Sequence, residues 1–307
     1  MIPANKFRIG TRASPLAMIQ AREARTRLSL SLGIVEEDIE IIPFSTTGDR
    51  VDDRPLSEIG GKGLFTKELE EALFAGVINL AVHSMKDVPA RPPAGLSFAA
   101  MLPREDPRDA FISFAASTLM ELPTGAILGS SSVRRTAQAL HKRPDLNSTP
   151  FRGNVQTRLN KLQKGIAHAT FLACAGMNRL GLADKITHIM PLDEMLPAVA
   201  QGAIGIQINA RDELLEQQLG MINHAATDTA VSCERAFMEA LDGSCRTPIA
   251  GYAMIENGIL KFRGEALTLD GKHVFTTARE ANPVDAVRIG EDAGAEIKSR
   301  GGSLISY

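Results

Sequence analysis

An apolar run ends abruptly in LAVHSMKDVPA, where His83, Ser84, Lys86 and Asp87 fall within five residues before Pro89. Ionisable groups gathered at a strand end can do acid–base work, and a carboxylate among cations suits a developing positive charge. A second reactive position is Cys245, in the Gly-Ser turn of LDGSCRTPIAGY. The other two cysteines, Cys174 and Cys233, sit in apolar stretches, where a thiol usually behaves as a small buried hydrophobe. No CxxC pair occurs, which argues against a disulfide framework or a structural zinc. His83 and Cys245 could form a thiol–imidazole dyad, although nothing in the sequence marks a third group to orient it.

Cations recur at strand-to-helix junctions. GTRASPLA offers Arg12 and Ser14, and LGSSSVRRTAQ offers Ser130 to Ser132, then Arg134 and Arg135. FRGNVQTRL offers Arg152 and Arg158, and CAGMNRLG offers Arg179. In open α/β sheets, ligands bind beyond the carboxyl ends of strands, and helix N-termini favour anions. Four such junctions imply a ligand rich in carboxylates or phosphates. Arginine outnumbers lysine by 23 to 11, which suits bidentate carboxylate recognition. Asp87 is expected to be the one acid among these cations. The loop IGGKGLF contains Lys62 but lacks the spacing of a nucleotide P-loop. The preceding STTGDRVDDRPLSEIG reads equally as a surface loop or as a lid over an anion site.

The elements that must position these groups alternate. Strands are expected at Ile39–Phe44, Leu80–His83, Leu96–Met101 and Ala110–Ser113, then at Ala126–Leu128, Thr149–Phe151 and Thr170–Ala173. FRIGTR should form the first strand, with Ser14 and Pro15 opening a helix. Further helices are expected near Leu64–Ala75, Val133–His141, Val155–Lys164 and Ala175–Leu180. That alternation predicts α/β sheets. Two proline-rich segments, LPREDPRD at 102–109 and MPLDEMLPAVAQG at 190–202, read as paired hinge strands. After about residue 222 comes a helix that Asp228 could cap. Three strands with Asn-Gly and Asp-Gly bends follow, then a helix near Val284–Lys298. The expected domains are 1–102 completed by 200–221, then 103–199, then a small α+β domain at 222–307 that carries Cys245.

Composition sets limits. At 307 residues the chain can fill several domains, and a net charge of -2 offers no bulk attraction to nucleic acid. No apolar run approaches a membrane span, no signal-peptide pattern is read, and a reducing cytoplasm is the simplest setting. No metal is implied.

Eight motifs, GTRASPLA, GGKGLFTKELE, AVHSMKDVP, REDPRDAF, GSSSVRR, RGNVQTRL, AVAQGAIGI and GSCRTPI, occur in the order and approximate spacing of the porphobilinogen deaminase (hydroxymethylbilane synthase) family. The chain resembles that family from about Arg8 to Tyr252. The resemblance implies two periplasmic-binding-protein-like α/β domains plus a small C-terminal α+β domain. It also implies a dipyrromethane cofactor held through a thioether to Cys245. The implied reaction joins four porphobilinogen molecules head to tail with loss of ammonia, through azafulvenium-like cations, and water then releases hydroxymethylbilane.

By the same resemblance, Asp87 and Lys86 are catalytic, and Lys86, Asp87, Ser130, Ser132, Arg134, Arg135 and Arg158 hold the cofactor. Arg12, Ser14, Lys62, His83, Ser84, Arg152 and Arg179 receive substrate. The chain departs from the family pattern at Glu58, often lysine, at Ser244-Cys245-Arg246, often Gly-Cys-Gln, and at Ser130, often threonine. A monomer is expected. Two other readings stand beside this one: a two-domain small-anion binding protein without catalysis, and a thiol acyl transferase using Cys245 and His83.

Overall fold

A computed structural model describes residues 7–50, 63–243 and 247–305. The chain divides into two compact units. One comprises the described residues up to Arg104 together with Ala203–Asp228, and the other comprises Glu105–Gly202 with the described residues from Thr229 onward.

The first unit is built on a five-stranded sheet in the order β2-β1-β3-β10-β4. β1 (Phe7–Arg12) runs parallel to β2 (Ile39–Phe44) and to β3 (Leu80–Ser84). β10 (Ile204–Asn209) is antiparallel to β3 and to β4 (Leu96–Met101). Helices cover central strands of such sheets, so these read as continuous apolar runs, and Ile9, Leu80, Ile204, Ile206 and Ile208 are fully buried. Helix Pro15–Leu32 lays Ala21, Ala24 and Leu28 into this core. Ser14 caps it as expected, its Oγ accepting the Ala17 N–H at 3.3 Å with Pro15 in the first turn.

The second unit carries a sheet in the order β7-β6-β8-β5-β9. β6 (Ile127–Gly129) is parallel to β7 (Asn147–Thr149) and β8 (Ala169–Ala173). β5 (Asp109–Ser113) is antiparallel to β8 and to β9 (His188–Ile189). Each sheet therefore has three parallel strands followed by a reversed strand, β10 in the first and β5 in the second. The same unit holds an antiparallel sheet of β11 (Ile249–Glu256), β12 (Ile259–Leu267) and β13 (Val274–Ala281). Asn257 and Gly258 turn the first hairpin with φ of 52° and 77°, the positive pair that a two-residue turn demands. Helix Ala286–Gly301 packs on this sheet, and Phe237 meets Phe262 edge to face at 5.0 Å. The fold is thus α/β with a small C-terminal α+β part.

Several expectations are corrected. Residues 102–109 and 190–202, read as hinge strands, contain no strand before β5 opens at Asp109, because Pro103, Pro107, Pro191 and Pro197 donate nothing to a ladder. The strand expected at Thr149–Phe151 lies at Asn147–Thr149, and Phe151 turns into the core instead. Asp228 does not cap its helix, which begins at Ala225. His224 Nδ1 lies 3.3 Å from the Thr227 amide in that role, while Asp228 accepts from Asn223 at 3.0 Å. β10 and helix Glu213–Gly220 were not expected. Among the described residues, no helix is long and apolar enough to cross a membrane.

Candidate active site

β3 delivers the ionisable cluster because its buried run, Leu80 to His83, ends in a single 3-10 turn, Met85–Asp87. Met85 points inward, 1% exposed, and its amide donates to the Ala203 carbonyl at 3.0 Å. A Cβ on Gly205 would lie 2.1 Å from the Met85 sulfur, so a side chain there would push Met85 out of this position. With Met85 fixed, Lys86 is exposed and Asp87 half-buried. They line a recess of about 60 Å³ with Arg12, Ser14, His83 and Ser84. Six candidate residues from two distant motifs thus meet in one place.

Arg12 organises this recess. Its Nη1 donates to Asp87 Oδ2 at 3.2 Å and its Nε to Asp49 Oδ2 at 3.2 Å, with a further short bond from Nη2 to Asp49 Oδ1. The guanidinium also stacks over Phe65, 4.1 Å from the ring centroid. Asp87 is therefore not the only acid among the cations, which corrects the sequence reading. Burial works against the charge on Arg12, but the Asp49 bond and both carboxylates outweigh it and raise its pKa. Burial likewise pushes Asp49 up, and its bonds from Arg12 and Thr46 hold it below the usual carboxylate range. His83 is 4% exposed, and its Nε2 lies 3.0 Å from Gln207 Oε1.

In the second unit the β6 junction places the GSSSVRR motif. Ser132 caps helix Val133–Lys142, accepting the Arg135 N–H at 3.4 Å, and Ser130 Oγ accepts the Ser132 N–H at 3.2 Å. Arg134 and Arg135 are buried on one carboxylate, Asp109. Arg134 Nη1 donates to Asp109 Oδ2 at 2.8 Å, and Arg135 Nη2 and Nε donate to Oδ1 at 2.6 and 2.9 Å. Burial pushes Asp109 upward, yet the two guanidinium charges hold it far below its ordinary value. Two positive charges share one negative charge, and Arg134 Nε is buried without a hydrogen-bond partner. That imbalance fits an added carboxylate.

Arg158 Nε donates to the Gly153 carbonyl at 2.9 Å, Arg152 is half-buried beside it, and Arg179 donates to the Gly202 carbonyl at 3.2 Å. Burial pushes the Cys174 and Cys233 thiols up to about 12, leaving both inert near neutrality. Cys245, Lys62 and Glu58 lie outside the described residues, as does the expected lid from residue 51 onward. Sequence reasoning missed Asp49, Asp109, Gln201 and Glu234. Asp109 had a legible signal: an acid opening the apolar strand DAFIS. Among the described residues, no group of three or more His, Cys, Asp or Glu side chains could hold a metal ion.

These features define an α/β protein with two arginines buried on one aspartate and a carboxylate–guanidinium pair at a strand end. Residues 7–217 match the family model described as porphobilinogen deaminase, dipyromethane cofactor binding domain, and residues 229–299 match porphobilinogen deaminase, C-terminal domain. The chain is 51% identical over 302 residues to the chloroplastic porphobilinogen deaminase of Oryza sativa subsp. japonica, covering 96% of this chain and 84% of that protein. It is 50% identical to the Pisum sativum chloroplastic porphobilinogen deaminase, covering 96% and 82%. Among solved structures it is similar to the BvgS VFT2 domain of Bordetella pertussis, at a TM-score of 0.44 and 16% identity over 70% of this chain and 85% of that one. A periplasmic substrate-binding protein from Coxiella burnetii gives a TM-score of 0.44 and 14% identity, covering 70% and 91%.

The chain belongs to the porphobilinogen deaminase family. It is a transferase that polymerises four porphobilinogen molecules head to tail, with loss of ammonia, into hydroxymethylbilane on a dipyrromethane cofactor.

Proposed function

We propose that Asp87 is the carboxylate that stabilises the cationic pyrrole in each addition and moves its protons, and that Arg12 fixes its position. The observation that carries this is the Arg12–Asp87 pair in the recess lined by Ser14, His83, Ser84 and Lys86. Arginine-rich surroundings disfavour a cation, so a carboxylate must stand near the reacting nitrogen to offset them. Each porphobilinogen loses its aminomethyl nitrogen as ammonia, and the resulting carbon bonds to a pyrrole α-carbon. That carbon then gives up a proton, for which Asp87 is the acceptor. After four such rounds, one water adds as the tetrapyrrole is released, so four porphobilinogen and one water give one hydroxymethylbilane and four ammonia.

When bound, the cofactor supplies the pyrrole α-carbon at which the chain begins. Cys245 is its thioether anchor, used once and retained. Arg134 and Arg135, with Lys86, Arg158, Ser130 and Ser132, hold the cofactor carboxylates. The two positive charges set against Asp109 alone, and the unpartnered Arg134 Nε, support this. Arg12, Ser14, Lys62, His83, Ser84, Arg152 and Arg179 receive substrate or growing chain. The segment from residue 222 acts as the cofactor-bearing domain of three. The enzyme works as a monomer in a reducing, cytoplasmic setting. Mass spectrometry of Asp87→Asn given porphobilinogen tests the main claim. Protein that stays at its starting pyrrole count supports it, and normal elongation removes Asp87 from the chemistry.

A further inference from the structure

Glu234 is buried with no exposed surface in the helix Ala225–Ala240. One carboxylate oxygen accepts the Ala200 N–H at 2.6 Å and the other accepts the Ala253 N–H at 2.7 Å. Charge-assisted bonds this short to backbone amides are among the stronger contacts a side chain makes. Ala253 lies in β11, so the carboxylate bolts residue 200 to the C-terminal sheet. The Gly251 N–H, also in β11, donates to the Pro197 carbonyl at 3.0 Å and holds the same segment a second time.

Ala200 needs holding. Its φ is 59°, a left-handed conformation that a residue with a Cβ adopts at a cost. Three arginines lean on the few residues around it. The Leu196 carbonyl accepts from Arg134 Nη1 at 2.9 Å. Gln201 donates through Nε2 to Asp109 Oδ1 at 3.1 Å, the carboxylate shared by Arg134 and Arg135. The Gly202 carbonyl accepts from both Arg179 Nη atoms at 3.2 Å. Moving Ala200 would move every one of these partners.

We infer that Glu234 is a positioning residue that sets Arg134, Arg135 and Arg179 through the segment 196–202, with β11 as its fixed reference. The inference rests on the reading that these arginines hold cofactor and chain carboxylates. Glu234→Gln puts an NH2 against one of two backbone N–H groups, so one of the paired bonds is lost whichever way the amide turns.

The test uses the full-length, cofactor-loaded enzyme given porphobilinogen. Pyrrole count is read by intact mass, KM and kcat by steady-state assay, and thermal stability on the same samples. Folded Glu234→Gln should accumulate the chain length at which Arg135→Leu or Arg179→Leu stalls, with elongation past it slowed about tenfold, since misplacement well short of an ångström is costly. Adding Ala200→Gly, which takes φ 59° without strain, should return at least part of the normal distribution. Glu234→Asp keeps the charge but draws it one methylene back from the two amides, and it should show the same stall more mildly.

A folded Glu234→Gln that loses thermal stability yet elongates normally would overturn the inference, leaving only a structural contact. So would insolubility of Glu234→Gln, Glu234→Asp and the Ala200→Gly combination alike. Normal elongation in Arg135→Leu and Arg179→Leu would instead bring down the reading of the arginines, and this inference with it.

Discussion

Arg12 Nη1 lies 3.2 Å from Asp87 Oδ2, while the rest of the same guanidinium grips Asp49. One cation thus spans the carboxylate proposed to act in the reaction and a second carboxylate, Asp49, beside it. The sharing matters because Arg12 would neutralise Asp87 more fully if it had no other partner. Asp49 keeps Arg12 in the recess without surrendering Asp87 to it.

Asp49→Asn should therefore lower kcat by about tenfold, by letting Arg12 settle on Asp87 and weaken its field on the developing cation. The stability loss should stay within about 1 kcal/mol, because the pair is partly solvated. Steady-state kinetics beside thermal melts would check this. A change in KM alone would place Asp49 in substrate binding instead.

The cysteines should separate cleanly. Wild-type protein purified without added ligand should carry the mass of two linked pyrrole units, and Cys245→Ser should lack it and be inactive. Cys174→Ser should keep it, because burial pushes that thiol up to about 12 and removes it from reaction. Intact mass reads all three proteins. An unmodified, fully active wild type would contradict the anchor.

Asp109 gives a pH signature. Burial opposes its charge, but Arg134 and Arg135 depress its pKa below the ordinary 3.8. The unfolded chain therefore takes up the proton first. The stabilisation is complete above pH 3.8 and is lost as pH falls below that value towards the folded pKa. Asp109→Asn should cost about 3–5 kcal/mol at neutral pH, the usual penalty for stranding buried charge. Its stability should also fall less steeply than that of wild type in the acid window. Urea unfolding across pH 7 to about 3 would show it, and parallel curves would contradict the assignment.

Much of the architecture was legible because apolar runs and cap residues act locally. Ile39–Phe44 and Leu96–Met101 fall where their patterns place them, and Ser14 caps its helix through its own hydroxyl. β10 was hidden because its run, AIGIQIN, follows a segment read as a hinge, and its glycine serves Met85 from another strand. The recess was half legible. The motifs name Arg12 and Asp87, but no spacing rule reveals that Asp49, 37 residues from Arg12 in the chain, would share its guanidinium. Asp109 and Glu234 escaped for the same reason. Their work is to bond groups distant in sequence, and a single acid in an apolar stretch does not say which partner it will meet.

Asp87 carries the proposed chemistry, and single-turnover ammonia release from cofactor-loaded enzyme tests its role most directly. Loading the cofactor beforehand keeps its assembly from limiting the rate. Asp87→Ala should remain folded and release ammonia more slowly than wild type by about 10²–10⁴, the range for a lost acid–base group, with charge stabilisation adding to it. Asp87→Glu, which keeps the charge one methylene away, should release it slowly and stall with intermediates bound. Ammonia release by Asp87→Ala at close to the wild-type rate would contradict the account.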